Sequence, residues 1–183
     1  MSIFWPRNRF IAAAVIASFV AIGASQAAAQ PGLQLTSPAF ADGAAVPADF
    51  TCTGADRSPR LAWTGAPAAT KSFALIVEDP DAPMGTFIHW VVYDLPPATS
   101  ALGEGVPKIA HLPQGGMQGV NSFGRVGYNG PCPPAGKVHH YHFRLYALDS
   151  AFDPGAGSDA AAVEEAMRGH VIASTDLVGT FSR

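Results

Sequence analysis

Charge is scarce in this 183-residue chain: Asp, Glu, Lys and Arg make up 14% of it, against 48% hydrophobic residues. So little charge excludes a charged coiled coil, and so much apolar content excludes an intrinsically disordered chain. No basic run occurs, and the formal net charge is −3, which argues against nucleic acid and anionic membrane surfaces as partners. Internal repeats and a domain-separating linker are missing as well, so the length reads as one domain. There is no Ser-His-Asp signature, no GKS or GKT phosphate loop and no evident activated nucleophile, which favours a binding role over a catalytic one.

What is abundant is glycine, with 19 residues, and proline, with 16. Together they form about a fifth of the chain against a usual ~12%, the mark of a loop-rich and β-rich globular domain. At the N-terminus Arg7 and Arg9 precede the apolar run Phe10 to Ala24, which is followed by Ser25-Gln26-Ala27-Ala28-Ala29. Basic, apolar and small-residue regions in that order form a secretory signal, and the apolar run is too short for a comfortable membrane span. Cleavage is expected before Gln30, leaving a leader over 1–29, a single domain over 30–183 and a periplasmic or secreted location. Loss of Arg7 and Arg9 takes the formal charge from −3 to −5. The absence of a cysteine near the cleavage point argues against a lipoprotein.

Cys52 and Cys132, the only two cysteines, both lie in the exported part, where disulfides are permitted. Pairing them is the simplest reading, and it closes a loop of about 80 residues at a gain of roughly 4 kcal/mol in the chain-entropy account. Two separate buried thiols are the alternative.

Phe73 to Asp79 and Thr86 to Tyr93 are short apolar runs, the second rich in β-branched and aromatic residues, and both read as buried strands. His139 to Ala147 alternates, with His139, Tyr141, Phe143, Leu145 and Ala147 on one face. Leu33-x-Leu35, Leu61-x-Trp63 and Val171 to Phe181 give further strand signals. One helix is expected, capped by Ser158, with Val163, Ala166 and Met167 as its core stripe and Arg168-Gly169 as its end. Thr99 to Gly127 shows no sustained period and reads as a long surface excursion shaping a site.

Three places concentrate polar chemistry. In Asp79-Pro80-Asp81-Ala82-Pro83 the prolines stiffen a turn that leaves a buried strand, so two carboxylates are presented in fixed orientation; an ordinary polar turn is the bland alternative. His89 places an imidazole inside an apolar strand, where a satisfied core histidine is the bland alternative. Gly127 to Gly136, carrying Gly130, Pro133 and Pro134, forms a rigid rim suited to offering backbone N–H groups to a ligand, and His139 and Tyr141 follow on one face.

At these residues the chain resembles the phosphatidylethanolamine-binding protein (Raf kinase inhibitor protein-like) family, in its bacterial YbhB/YbcL type. The resemblance runs through FTCTG, SPRLAW, SFALIVEDPDAP, GTFIHWVVYDLP, GYNGPCPP, HHYHFRLYALD and HVIASTDLVGTF. It implies a mainly β sandwich of a larger and a smaller antiparallel sheet with peripheral helices and one small anion-accepting pocket. By position it implies ligand-binding roles for Asp79, Asp81, Pro83, His89, Gly130, Pro133, Pro134, His139 and Tyr141. His140 departs from the family's usual arginine, and alternation points it away from His139.

Two carboxylates beside an anion repel it unless they accept hydrogen bonds from His89 and His139, favouring imidazoles that then donate to a phosphoryl group. A zwitterionic head group would also bring an ammonium to a carboxylate. The reading is therefore an exported, non-catalytic protein without a cofactor, binding a small phosphoryl or other anionic ligand. The alternatives are a metal-dependent enzyme using the Asp/His cluster, or an inhibitor of a protease or another protein partner.

Overall fold

The computed structural model describes Met1 and residues 32–183. The basic and apolar regions of the expected leader, and its cleavage point before Gln30, lie outside the described residues.

Among the described residues, eight strands and one α-helix follow in the order β1 (Gln34–Thr36), β2 (Leu61–Thr64), β3 (Ser72–Asp79), β4 (Phe87–Leu95), β5 (Ala101–Leu102), β6 (Met117–Gln118), β7 (His139–Leu148), α1 (Ala160–Met167) and β8 (Val171–Phe181). They form a small sheet ordered β1-β2-β5 and a large one ordered β6-β4-β3-β7-β8, with antiparallel pairing throughout. This is the two-sheet, mainly β architecture expected from the resemblance.

β3 is buried along its whole length because both faces of the large sheet are covered at its centre. Phe73, Leu75 and Val77 face the small sheet and pack with Leu35, Leu61, Trp63 and Leu102. Ala74 and Ile76 point the other way and meet Ala160, Val163 and Met167 of α1. A strand covered on both faces reads as a continuous apolar run, and that is why FALIV carries no alternation. β7 keeps its alternation, with Tyr141, Phe143, Leu145 and Ala147 in the larger core and His140 exposed. In β4, Trp90, Val92 and Leu95 face the same core. The extra step between Val92 and Leu95 falls at Asp94, whose φ of 52° is left-handed, beside a register shift opposite Phe73. A bulge of this kind re-aims the strand, and aspartate is one of the few side chains that tolerates it.

Two expectations need correction. Asp159, not Ser158, caps α1: its side chain accepts from Ala162 N at 2.9 Å, because the Ser158 hydroxyl is used within the preceding turn on the Pro154 and Gly155 carbonyls. The core stripe of the helix is Ala160, Val163 and Met167, with Ala166 only half-buried. The Thr99 to Gly127 excursion supplies β5 to the small sheet and β6 to the large one. Its order comes from side chains that bond to backbone rather than from periodicity. Gln118 accepts from Trp90 Nε1 at 2.6 Å and donates to the carbonyls of Pro107 and Ile109 at 2.7 Å.

Cys52 and Cys132 are disulfide-bonded, with Cα atoms 5.4 Å apart and 80 residues of separation. The bond ties the segment after the short 3-10 turn Ala48–Phe50 to the Gly-Pro rim, and Cys52 N adds a hydrogen bond to the Pro131 carbonyl at 3.1 Å. Replacing both cysteines by serine is expected to lower the unfolding free energy by about 2–4 kcal/mol, since the lost cross-link frees a long loop in the unfolded chain. Urea denaturation of the double variant beside the parent protein measures it. Equal stability would show that the remaining rim contacts suffice without the covalent link.

Candidate functional site

β3 ends, and β4 and β7 begin, at one end of the large sheet, where Asp79 pairs with Phe87 in register and His139 opens β7. A cavity of about 310 Å³ opens there. Its floor carries Asp79, His89 and His139, one wall is the turn from Ala82 to Thr86, and the opposite wall is Cys132, Pro133 and Pro134.

Asp79 is 3% exposed, and a carboxylate so deep must be hydrogen-bonded on both oxygens. Its Oδ1 accepts from the Asp81 backbone N–H at 2.9 Å, which closes the turn through Pro80. Its Oδ2 accepts from His139 Nδ1 at 2.8 Å. That bond fixes the His139 tautomer and leaves Nε2 toward the cavity, without a partner among the described residues. Asp79 is thus an orienting group for His139, as expected.

His89 is held differently from the expectation. Its Nδ1 donates to the Asn129 carbonyl at 2.8 Å rather than to a carboxylate, because the Asn129 backbone N–H already bonds the His89 carbonyl at 3.0 Å and brings the two residues alongside. At 2% exposure, burial pushes the imidazole below its ordinary pKa, against the opposing pull of the Asn129 carbonyl and the Asp79 carboxylate. His89 is therefore neutral near pH 7, with Nδ1–H spent on Asn129 and Nε2 free.

Tyr141 stands edge-on to His89, with ring centroids 5.2 Å apart. It is wholly buried and packs beside the cavity without lining it, and its hydroxyl has no hydrogen-bond partner among the described residues. Burial first, and the neighbouring Asp79 carboxylate second, push the phenol well above its usual pKa, so it stays an O–H donor.

Two site expectations are corrected by the geometry. Asp81 does not serve a pocket histidine: its Oδ2 accepts from the His140 ring at 2.7 Å and from the His140 backbone N–H at 2.9 Å, on the outer side of the strand. Those bonds, the ring's above all, hold its carboxyl below the usual range. His140 thus fastens the outside of the same turn that Asp79 fastens from within. Gly130 does not offer its N–H to the cavity either, because Asp56 Oδ1 accepts it at 2.7 Å. Glycine is required there by close approach, since a Cβ would lie 2.2 Å from the Phe50 carbonyl oxygen. Pro83, Pro133 and Pro134 line the cavity.

Sequence reasoning missed Asp56, Asn121, Asn129, Phe87 and Phe123. Asp56 also accepts from Asn129 Nδ2 at 3.0 Å and Lys108 Nζ at 2.8 Å, and Asn129 lay inside the quoted GYNGPCPP run as an available signal. Phe123 comes from the excursion, where nothing periodic marks it. Among the described residues no three His, Cys, Asp or Glu side chains gather as a metal-holding group.

A sequence profile described as phosphatidylethanolamine-binding protein matches residues 36–182. A UPF0098 protein of Methanothermobacter thermautotrophicus is 46% identical over 151 residues, covering 82% of this chain and 99% of the relative. A second UPF0098 protein, from Pyrococcus horikoshii, is 47% identical over 80% of this chain and 75% of its own length. Among solved structures, a phosphatidylethanolamine-binding protein homologue of Chlamydia trachomatis is 41% identical with a TM-score of 0.75, covering 83% of this chain and 98% of that one. E. coli YbcL is 34% identical with a TM-score of 0.78, over 84% and 99% respectively.

The doubly bonded carboxylate makes a direct test. Asp79→Asn keeps the shape but turns an amide N–H₂ toward one of two donors, so stability should fall by about 1–3 kcal/mol, the cost of a buried polar mismatch. Denaturation measures the loss, and side-chain nitrogen chemical shifts of His139 should report a changed tautomer. A D79N variant with parent stability and an unaltered His139 tautomer would overturn the assignment.

Proposed function

The chain belongs to the phosphatidylethanolamine-binding protein family, and from that premise we propose that it is an exported, non-catalytic protein that holds a small phosphoryl-bearing ligand on His89, His139 and Tyr141. The observation that carries the proposal is the pair of imidazoles lining the cavity, His139 held through Nδ1 by Asp79 and His89 through Nδ1 by Asn129, which leaves both Nε2 atoms for a ligand. An oxyanion supplies acceptors only, so the imidazoles bind it through Nε2 once that atom carries a proton.

The remaining residues of the site hold these three in place. Asp79 orients His139, Asn129 orients His89, and Asp81 with His140 stiffens the intervening turn. Among the described residues no serine or cysteine side chain bonds to either imidazole, and both cysteines are in the disulfide, which supports holding rather than covalent chemistry. The disulfide and the three-part N-terminus both support export. Intact-mass measurement on secreted or periplasmic protein is expected to find a chain beginning at Gln30; one still beginning at Met1 would defeat that part of the reading.

Sulfate is the cleanest probe of the pocket, because it does not titrate between pH 5 and 8. For it to be bound by donors, His89 must take up a proton at Nε2, since in the free protein burial keeps the ring neutral. A ligand that prefers the protonated ring raises its pKa, so affinity increases as pH falls. It should level off below the depressed pKa of free His89 and be lost as pH rises through the higher value in the complex. Calorimetry in buffers of different ionisation enthalpy reads the proton uptake.

Tyr141→Phe should weaken sulfate and phosphate by about 10- to 100-fold, the range for a hydrogen bond to a charged group. Its stability should be unchanged or slightly raised, because the hydroxyl removed had no partner. Unchanged affinity in the Y141F variant would refute the site.

A further inference from the structure

The Cys52–Cys132 bond borders two hollows. Cys132 contributes to the wall of the cavity at the strand ends, and both cysteines line a second hollow of about 330 Å³ together with Asp56 and Arg125. Cys132 is half-buried, whereas Cys52 is exposed, as are Thr53, Gly54 and Ala55 after it. The approach to Cys52 from outside is therefore open.

The two charged residues of the second hollow differ in what they have left to offer. The Asp56 carboxylate already accepts from Gly130 N at 2.7 Å, Asn129 Nδ2 at 3.0 Å and Lys108 Nζ at 2.8 Å. Arg125 is bonded only through its backbone N–H, to Asn121 Oδ1 at 3.2 Å, and its exposed guanidinium has no hydrogen bond or ion pair among the described residues. A free cation thus lines the same hollow as an accessible disulfide. Disulfides are opened by thiolates, and the sulfur displaced departs as a second anion; a guanidinium nearby favours both.

Opening the bond does not free the rim. The Cys52 N–H on the Pro131 carbonyl at 3.1 Å and the Tyr128 hydroxyl on the Phe50 carbonyl at 2.7 Å still hold the two segments together, as does Asp56 on Gly130. The separated sulfurs stay neighbours, and the bond can close again.

We propose that the Cys52–Cys132 disulfide is a reversible thiol-exchange site that takes small thiols bearing carboxylates, which Arg125 draws into the second hollow. The incoming thiolate attacks Cys52 Sγ, on the more exposed residue. A bond forms between those two sulfurs, the Cys52–Cys132 bond breaks, and its electron pair leaves on Cys132 Sγ as a thiolate. A second thiolate attacking the mixed disulfide releases the oxidised thiol dimer and leaves both cysteines reduced, a two-electron transfer from thiol to protein. Attack by Cys132 instead restores the original bond.

Exchange on the mature chain with mercaptosuccinate, an acidic thiol, and cysteamine, a cationic one, at matched thiolate concentrations tests it. Alkylation of the released thiols followed by intact-mass measurement gives the rates. Arg125→Gln is expected to slow mercaptosuccinate by about threefold to fivefold, the scale of an exposed charge pair, and to leave the cysteamine rate nearly unchanged. Peptide mapping after an acid quench should find the adduct on Cys52 and the free thiol on Cys132. Both rates should stay flat in urea concentrations below the unfolding transition, because the folded protein reacts. Equal effects of Arg125→Gln on the two thiols, adducts confined to Cys132, a rate that climbs steeply with sub-denaturing urea, or a parent disulfide that neither thiol opens overturns the proposal.

Discussion

A carboxylate almost sealed from water is tolerable only when its oxygens are bonded, and Asp79 meets that demand with one partner far away in sequence and one in the turn that follows it. Through Oδ2 it reaches the first residue of β7, and through Oδ1 it folds the Pro80 turn back on itself. The pairing of β3 with β7 brings the strand ends close enough for this, since Glu78 lies opposite His142 in register. The geometry of the pocket floor is therefore a consequence of sheet register, and a slip of one residue would turn His139 and Tyr141 to the solvent face.

The rim is secured separately and redundantly. The disulfide, the Tyr128 hydroxyl on the Phe50 carbonyl at 2.7 Å, and the Asp56 carboxylate on Gly130 and Asn129 all press the same segment onto the 3-10 turn. This packing is so close that only glycine fits at residue 130. The site is thus built from two separately fastened parts, a strand end and a strapped rim, that face one another across a cavity.

Where the sequence was legible, a physical period or a fixed turn made it so. β7 could be read because only one of its faces meets the core, and β3 and β4 because their apolar runs end at proline or at a charged turn. DPDAP, His89, His139 and Tyr141 were found because residue type and position both carried meaning. The partners of those groups were not legible. That Asp81 meets His140, that His89 meets a carbonyl and that Gly130 spends its N–H on Asp56 all depend on loops whose conformation is set by long-range hydrogen bonds. Asn121 and Phe123 stayed hidden for the same reason, since a loop ordered by a single asparagine leaves no periodic trace. Helix capping was misplaced by one residue because serine and aspartate compete for that role on equal chemical terms.

The two halves of the site also differ in how freely they can be rewritten over generations. The donor groups stand on β4 and β7, where any change in backbone is transmitted to the core through Trp90, Phe143 and their neighbours. Phe123 stands on a surface loop within the excursion between β4 and β7, anchored at its two ends, with its side chain half in water. Loops of that sort accept replacement far more readily than strands. A descendant of this chain can therefore change the outer lining of the cavity at the loop while inheriting the two imidazoles at its floor intact, so one scaffold is open to diversification by changes that never touch its frame.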